Sequence, residues 1–275
     1  MDNNKAAHKL KGLPPIYCIN LDEKPDRWEY MEDQFKWWEI SNYERVNASR
    51  FRKEEWSDWC DMVHYPEFYP SHRHRSVAVS LSHFECLREW YETTNEDQVI
   101  ILEDDTDFSN VENWNFTWKD VMDRLPFDWE AFQFCYNSVD YFRCNLHLKS
   151  HTSFNGPILL TRPYVKKLLD LYFKKGKYNF IVKYFGSLYQ GYPINDEKHC
   201  VKDVDNMIGH HGRVYQMPLV GQNVLFDDER RTPHLFCSAS LKRFWAKEHD
   251  IDDLFSYNTD KDLSMTYKLN PGIRK

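Results

Sequence analysis

The residues in this chain best suited to chemistry are Glu103-Asp104-Asp105, three consecutive acids that close the short apolar run Val99-Ile100-Ile101-Leu102. Carboxylates at a strand end supply the hard oxygen ligands with which Mg²⁺ or Mn²⁺ bridges the oxygens of a nucleoside diphosphate. A metal held there neutralises charge developing on a leaving diphosphate and lowers the barrier to breaking its bond to a sugar. Asp105 is the expected metal ligand. The competing account is an acidic turn that only faces water. The apolar run before the acids tips the balance, because it has the composition of a parallel strand covered on both faces, and ligands bind outside the carboxyl ends of such strands. A second acidic segment, Val201-Lys202-Asp203-Val204-Asp205, lies far downstream. A base that takes the proton of an attacking hydroxyl has to come from such a separate segment, and Asp205 is the candidate, set against a surface turn or a helix cap.

The elements that would position these acids form an α/β pattern. Ile16-Tyr17-Cys18-Ile19-Asn20-Leu21 reads as a buried strand, and Pro25-Asp26-Arg27 opens a helix running to about Trp38, with proline at a tolerated first-turn position. Ser82-x-x-Glu85 has the form of a capping box, followed by Phe84, Leu87, Trp90 and Tyr91 at helical spacing, so a helix is expected from Ser82 to about Thr93. Strands are expected at residues 131–136, 156–160 and 213–217, and a helix from Pro163 to Phe173 that aligns Val165, Leu168, Leu169 and Tyr172. From about Ser238 the chain turns charged and is expected to pack as helix or loosely, rather than as sheet. The domain division is thus a polar tail over residues 1–13, a catalytic domain over 14–237 and a charged extension over 238–275.

Composition narrows the classes of function. The chain of 275 residues has only nine glycines, and none falls in G-x-G-x-x-G or a Walker loop, so phosphate binding through a glycine-rich cradle is excluded and a metal is the expected substitute. A formal charge of -7 argues against a large polyanion-binding face. His72-Arg73-His74-Arg75 remains either a local phosphate holder or a solvated loop. The seven scattered cysteines have no C-x-x-C spacing and read as reduced thiols, several of them in the core. No apolar run approaches the roughly 18 residues of a membrane span, and the start is polar, so a cytoplasmic protein is expected.

Several segments together resemble glycosyltransferase family 25, the group of lipooligosaccharide and collagen hydroxylysine galactosyltransferases. Ile19-Asn20-Leu21 with Asp26-Arg27 is similar to its opening signature, and Tyr43-Glu44-Arg45-Val46-Asn47-Ala48 to its second strand. Leu81-Ser82-His83 and Leu102-Glu103-Asp104-Asp105 resemble its most specific pair of motifs. Asn155-Gly156, Val204-Asp205 and Tyr215 to Gln222 give thinner matches, for a coverage of about residues 14–225. The resemblance implies a GT-A-like, Rossmann-type mixed sheet flanked by helices, a nucleotide-sugar donor, UDP-linked, a divalent metal (Mn or Mg), and inversion at the anomeric carbon. It also implies Asn20, Leu21, Arg27, Ser82, His83, Glu103 and Asp104 at the donor, Asp105 with Glu103 on the metal, and Asp205 as base.

The chain departs from the family where Arg75-Ser76-Val77-Ala78-Val79 replaces a glutamate and two glycines, so the transferred sugar need not be galactose. Trp56, Trp59, Tyr65, Phe68 and Tyr69 crowd residues 54–70 and are expected in part as a lid whose rings stack on the ligand and in part as core. The acceptor is a hydroxyl of a saccharide, a hydroxylated protein side chain or a hydroxylated nucleobase. Two other readings of the same residues are a silent sugar-nucleotide or glycan-binding module and a metal-dependent phosphoesterase.

Overall fold

A computed structural model describes residues 4–60, 74–135, 141–149, 156–183, 199–201, 204–209, 211–226, 231–256 and 263–266. In chain order the first half contains strand β1 (Ile16–Asn20), helix α1 (Pro25–Trp37), β2 (Tyr43–Asn47), α2 (Trp56–Trp59), α3 (His74–Thr93), β3 (Gln98–Glu103), β4 (Thr106–Asp107) and α4 (Trp118–Arg124). Strands β5 (Ala131–Gln133), β6 (Tyr141–Arg143), β7 (His147–Leu148) and β8 (Ile158–Thr161) lead to α5 (Arg162–Tyr172). After it come β9 (Phe173–Lys174), β10 (Lys177–Tyr178), β11 (Ile181–Lys183), β12 (His199–Val201) and α6 (Val204–Gly209). The chain then forms β13 (Val214–Gln216), β14 (Gly221–Gln222), α7 (Arg231–Trp245), α8 (Ile251–Leu254) and β15 (Ser264–Thr266).

The central sheet has seven strands in the order β2-β1-β3-β8-β5-β13-β7. Strands β2, β1 and β3 are parallel, β8 runs against both β3 and β5, and β13 is parallel to β5. The carboxyl ends of β1, β2, β3, β5 and β13 therefore share one edge, the edge at which an open α/β sheet binds ligands. This is the mixed, Rossmann-like arrangement expected from the sequence.

Side-chain alternation divides the interior into two layers. Ile16, Cys18, Ile100, Leu102 and Phe132 face a core shared with Met31 and Phe35 of α1, Val121 of α4 and Leu241 and Trp245 of α7. Tyr17, Ile19, Val99, Ile101 and Ala131 face the other, with Leu81, Phe84 and Leu87 of α3, Leu168 of α5 and Met207 of α6. Cys18, Cys60, Cys86, Cys135, Cys144 and Cys237 are buried free thiols, as expected.

Two expectations are corrected. Helix α3 begins at His74, two turns before Ser82, and Ser82 bonds back to its own helix, its hydroxyl donating to the Ala78 carbonyl at 2.8 Å. Residues 76–81 contain no glycine or proline to stop the helix, and Glu85 is drawn to Arg88 and Tyr178 rather than to a cap. At the other end, α7 crosses position 238 and packs Cys237 and Leu241 into the core, while β15 pairs with β6, so sheet does form late in the chain. Among the described residues, no helix is long and apolar enough to cross a membrane.

Candidate functional site

The parallel register of β1 and β3 pairs Ile19 with Glu103 and so brings Asn20 and Asp104 side by side at the carboxyl edge. Asn20 is only 1% exposed, and its amide is used at both ends. Its Nδ2 donates to Asp104 Oδ2 at 2.7 Å and to the Lys24 carbonyl at 3.1 Å. Its Oδ1 accepts from Arg45 Nε at 2.9 Å and Nη2 at 2.6 Å. Arg45 is itself set by an ion pair to Asp22 at 2.9 Å and by the Trp28 ring, 5.4 Å beneath the guanidinium.

Arg27, in the first turn of α1, completes this clamp. Its Nη1 lies 3.2 Å from Asp104 Oδ1, its Nη2 donates to the Phe226 carbonyl, and its guanidinium covers the Phe226 ring. Asp104 thus receives Asn20 on one oxygen and Arg27 on the other, both from the α1 side of the sheet. Leu21, immediately after the clamp, leaves the strand 42% exposed.

Glu103 points to the opposite face, where its Oε1 lies 3.5 Å from Nε2 of the buried His83. His83 Nδ1 is 3.0 Å from the Val79 carbonyl, which assigns the proton to Nδ1 and leaves Nε2 as an acceptor in the neutral ring. Burial pulls the imidazole down to about 4, against the opposing pull of the Val79 carbonyl, so the ring is neutral at physiological pH. Ser82, one residue earlier, is buried and bonded within α3.

Asp105 follows Asp104 in the turn after β3 and is half-buried. Its carbonyl accepts from the Asn223 backbone at 2.6 Å, and the next two residues pair as β4 with β14. Asp107 accepts from the Ser109 backbone at 2.8 Å and faces Lys242 of α7 at 3.1 Å. The acid turn is therefore strapped by residues 221–226. Its negative field is felt nearby: the Tyr30 phenol is pushed well up by burial and then by Asp107 and Asp105, against a hydrogen bond with Asn223. The Cys18 and Cys135 thiols are likewise held well above the ordinary range, by burial first and then by acids of this turn, Asp104 and Asp105 at Cys18 and Asp105 at Cys135.

The structure thus joins Asn20, Arg27 and Asp104 in one cluster and His83 with Glu103 in another, with Asp105 in the turn that follows β3. Asp205 falls in α6, with its side chain outside the described part of the structure. Among the aromatics, Trp56 is core: it is buried and donates from Nε1 to the Phe51 carbonyl at 3.0 Å, because α2 packs inward. Trp59 is half-buried and lines a cleft of about 360 Å³ with Asp58, Glu85, Arg88, Phe173 and Gly176. Tyr65, Phe68, Tyr69, His72 and Arg73 lie outside the described residues, as do the side chains of His74 and Arg75. Sequence reasoning missed Arg45 as the residue that holds Asn20; its place in the Tyr43 to Ala48 segment was the available signal. Asn223 and Tyr30 carried no local signal, since a strap that closes on the acid turn is a long-range contact.

A Rossmann-like mixed sheet with a carboxylate turn at its carboxyl edge defines an α/β class of fold, and the class is narrowed by comparison with known families. The profile described as glycosyltransferase family 25 (LPS biosynthesis protein) matches residues 13–196. The chain belongs to glycosyltransferase family 25, a family of sugar-transferring enzymes. No curated protein matches it. The matched span holds the clamp, His83 and the acid turn, whereas α6 with Asp205 and the strap follow it.

Proposed function

We propose that the chain transfers a sugar from a nucleotide-sugar donor, UDP-linked, to a hydroxyl acceptor with inversion of configuration, assisted by a divalent metal. The observation that carries this reading is the place of the acids: Asp104, held by Asn20 and Arg27, fixes the turn in which Asp105 lies half-buried at the carboxyl edge.

Among the described residues no three His, Cys, Asp or Glu side chains converge as a metal cage. The donor set at the edge, Asp105 with Glu103, fits an ion of the kind that takes one or two carboxylates and completes its shell with substrate phosphates and water. When bound, such an ion neutralises charge on the leaving diphosphate. The remaining work belongs to the protein. The Arg45-Asn20-Asp104-Arg27 clamp fixes the backbone from which Asp105 projects, and the exposed Leu21 offers an apolar contact to the nucleotide. His83, neutral and bonded through Nδ1 to its own helix, walls the α3 side of the Glu103 carboxylate. Asp205 is assigned as the base that takes the acceptor hydroxyl's proton while its oxygen bonds to the anomeric carbon and the bond from that carbon to phosphate breaks.

The family description favours a saccharide acceptor over a hydroxylated side chain or nucleobase, and the buried free thiols suit a reducing compartment such as the cytoplasm. The test is a screen of nucleotide sugars for Mn²⁺-dependent thermal stabilisation, followed by product analysis. Release of nucleoside diphosphate with a glycosylated acceptor supports transfer. Release of monophosphate would indicate a phosphoesterase, and binding without turnover a silent module.

A further inference from the structure

A cleft of about 360 Å³ opens between α2, α3 and the β9–β10 hairpin, lined by Asp58, Trp59, Glu85, Arg88, Phe173 and Gly176. Its walls are tied to one another. Lys175 and Gly176, both at positive φ (54° and 79°), turn β9 tightly into β10. Cys60, at the end of α2, bridges to Tyr178 of β10, and the Tyr178 hydroxyl donates to Glu85 Oε2 of α3 at 2.7 Å. The cleft faces away from the acid turn. Glu85 and Arg88 follow His83 by two and five residues on α3. At about 100° per residue they stand about 200° and 140° round the helix, opposite the face on which His83 meets Glu103. The body of the helix, roughly 10 Å across, stands between the cleft and that carboxylate.

Glu85 is buried and both of its oxygens are engaged: Oε2 accepts from Tyr178 and from Arg88 Nε at 3.0 Å, and Oε1 accepts from Arg88 Nη2. Arg88 Nη1 donates to Glu92, and the guanidinium lies 5.4 Å from the centre of the Phe173 ring. The fork is thereby fixed in place, and it carries more N–H donors than these partners take up. On the α2 wall, the half-buried Trp59 ring packs edge-to-face with Phe51 at 5.1 Å, with the Arg50 guanidinium 6.0 Å from its centre. Asp58, beside it, is exposed. The cleft thus joins two aromatic rings, a fixed donor fork and a solvent-facing acceptor.

That combination selects among ligand classes. An anion drawn to Arg88 meets Glu85, Glu92 and Asp58, and a cation drawn to Asp58 meets Arg88 and Arg50, which already lie against the two rings. A wholly apolar ligand would strip water from Asp58 and Arg88 without replacing it. A neutral polyhydroxylated ring meets none of these obstacles. Its hydroxyls both accept and donate, so they can take an Arg88 N–H and serve the Asp58 carboxylate, while its C–H face rests on an aromatic ring. The volume lies at the lower end of the roughly 300–1,000 Å³ of small-ligand sites.

We propose that this cleft on the outer side of α3 is a carbohydrate site apart from the acid turn, holding one neutral saccharide unit stacked on Trp59 and hydrogen-bonded by Arg88 and Asp58. Such a site needs neither metal nor nucleotide, so it stands or falls separately from the transfer reading. The test is saturation-transfer NMR on the full chain in metal-free, nucleotide-free buffer, with glucose, galactose, maltose and lactose as probes. At least one of them is expected to bind through its ring C–H protons. Trp59→Ala should weaken that sugar about tenfold and Asp58→Ala about fivefold, as for a lost ring contact and a lost hydrogen bond, while Asp105→Ala should leave it within about twofold. Should Trp59→Ala fold poorly for want of its packing on Phe51, Asp58→Ala, which alters an exposed side chain, carries the comparison alone. Glucuronate and glucosamine, each bearing a full charge, should bind more weakly than glucose or galactose. The site is overturned by the absence of saturation transfer to any probe, by binding that Trp59→Ala and Asp58→Ala leave unchanged, or by binding lost in Asp105→Ala, which would put the sugar at the acid turn. A preference for either charged sugar overturns the neutral class.

Discussion

Replacing Asp104 and Asp105 by alanine, one at a time, should separate structure from chemistry within two adjacent residues. Asp104→Ala removes the buried acceptor of Asn20 at 2.7 Å and of Arg27 at 3.2 Å. A hydrogen bond to a charged group is worth about 1.5–3 kcal/mol. The Asn20 bond is buried and counts in full. Arg27 and Asp104 are 23% and 11% exposed, and Arg27 keeps the Phe226 carbonyl, so water and that carbonyl recover part of the second bond. The expected loss is about 2–4 kcal/mol, or a fall in melting temperature of roughly 5–15 °C at the 2–4 °C per kcal/mol of a domain of this size. Asp105→Ala keeps the backbone carbonyl that accepts from Asn223, so its melting temperature should move by no more than about 3 °C. Metal-dependent stabilisation by the donor should nevertheless vanish. Differential scanning fluorimetry with and without Mn²⁺ and the nucleotide sugar reads both quantities. The reasoning fails if the two variants melt together, or if Asp105→Ala retains the metal-dependent shift while Asp104→Ala loses only that shift.

Asp205→Asn should bind donor as the wild type does and turn over at least about a hundredfold more slowly, as for loss of a general base; collapse of donor affinity in calorimetry would move Asp205 into the donor site. Because burial holds His83 at about 4, below the ordinary value of 6.5, the unfolded chain takes up that proton first as pH falls. The contribution, on the order of 3 kcal/mol, is therefore intact above pH 6.5 and lost as pH falls toward 4. In metal-free buffer His83→Gln should flatten the fall of melting temperature between pH 7 and pH 5, and identical slopes would remove His83 from the account. At Gly156 an added Cβ would lie 2.8 Å from Cys135 Cβ, so Gly156→Ala should cost about 1–3 kcal/mol in urea unfolding, with partial relief in the Cys135→Ala background.

The sequence made the strand-end cluster of Asn20, Arg27 and Asp104 legible because its signals are local. A run of four β-formers ends in acids, a proline opens α1 next to Arg27, and a parallel strand pair sets Asn20 against Asp104 without further information. It did not reveal what each acid does, since alternation sends Asp104 toward α1 and Glu103 toward α3, and only the packed helices show which partners wait there. The start of α3 was misplaced by a motif: Ser82-x-x-Glu85 matches a capping box in letters, but both side chains found partners elsewhere, Ser82 within its own helix and Glu85 on Arg88 and Tyr178. The strap escaped for a different reason: it joins segments distant in sequence, and nothing local marks Asn223 as a neighbour of Asp105.

The pairing of β4 with β14 bears on the order in which this protein comes into being. Domains emerge from the ribosome amino end first, and Glu103 to Asp107 are made long before Gly221 to Phe226 and Lys242. Until those residues arrive, the acid turn lacks the strand that pairs with it, the Asn223 amide at its apex and the lysine opposite Asp107. A nascent chain can thus complete the β1-β2-β3 platform while its carboxylate turn is still loose, and the mouth of the site is finished last, by the final quarter of the polypeptide. A ribosome-stalled or truncated product would carry the family's most recognisable letters and still lack a formed site.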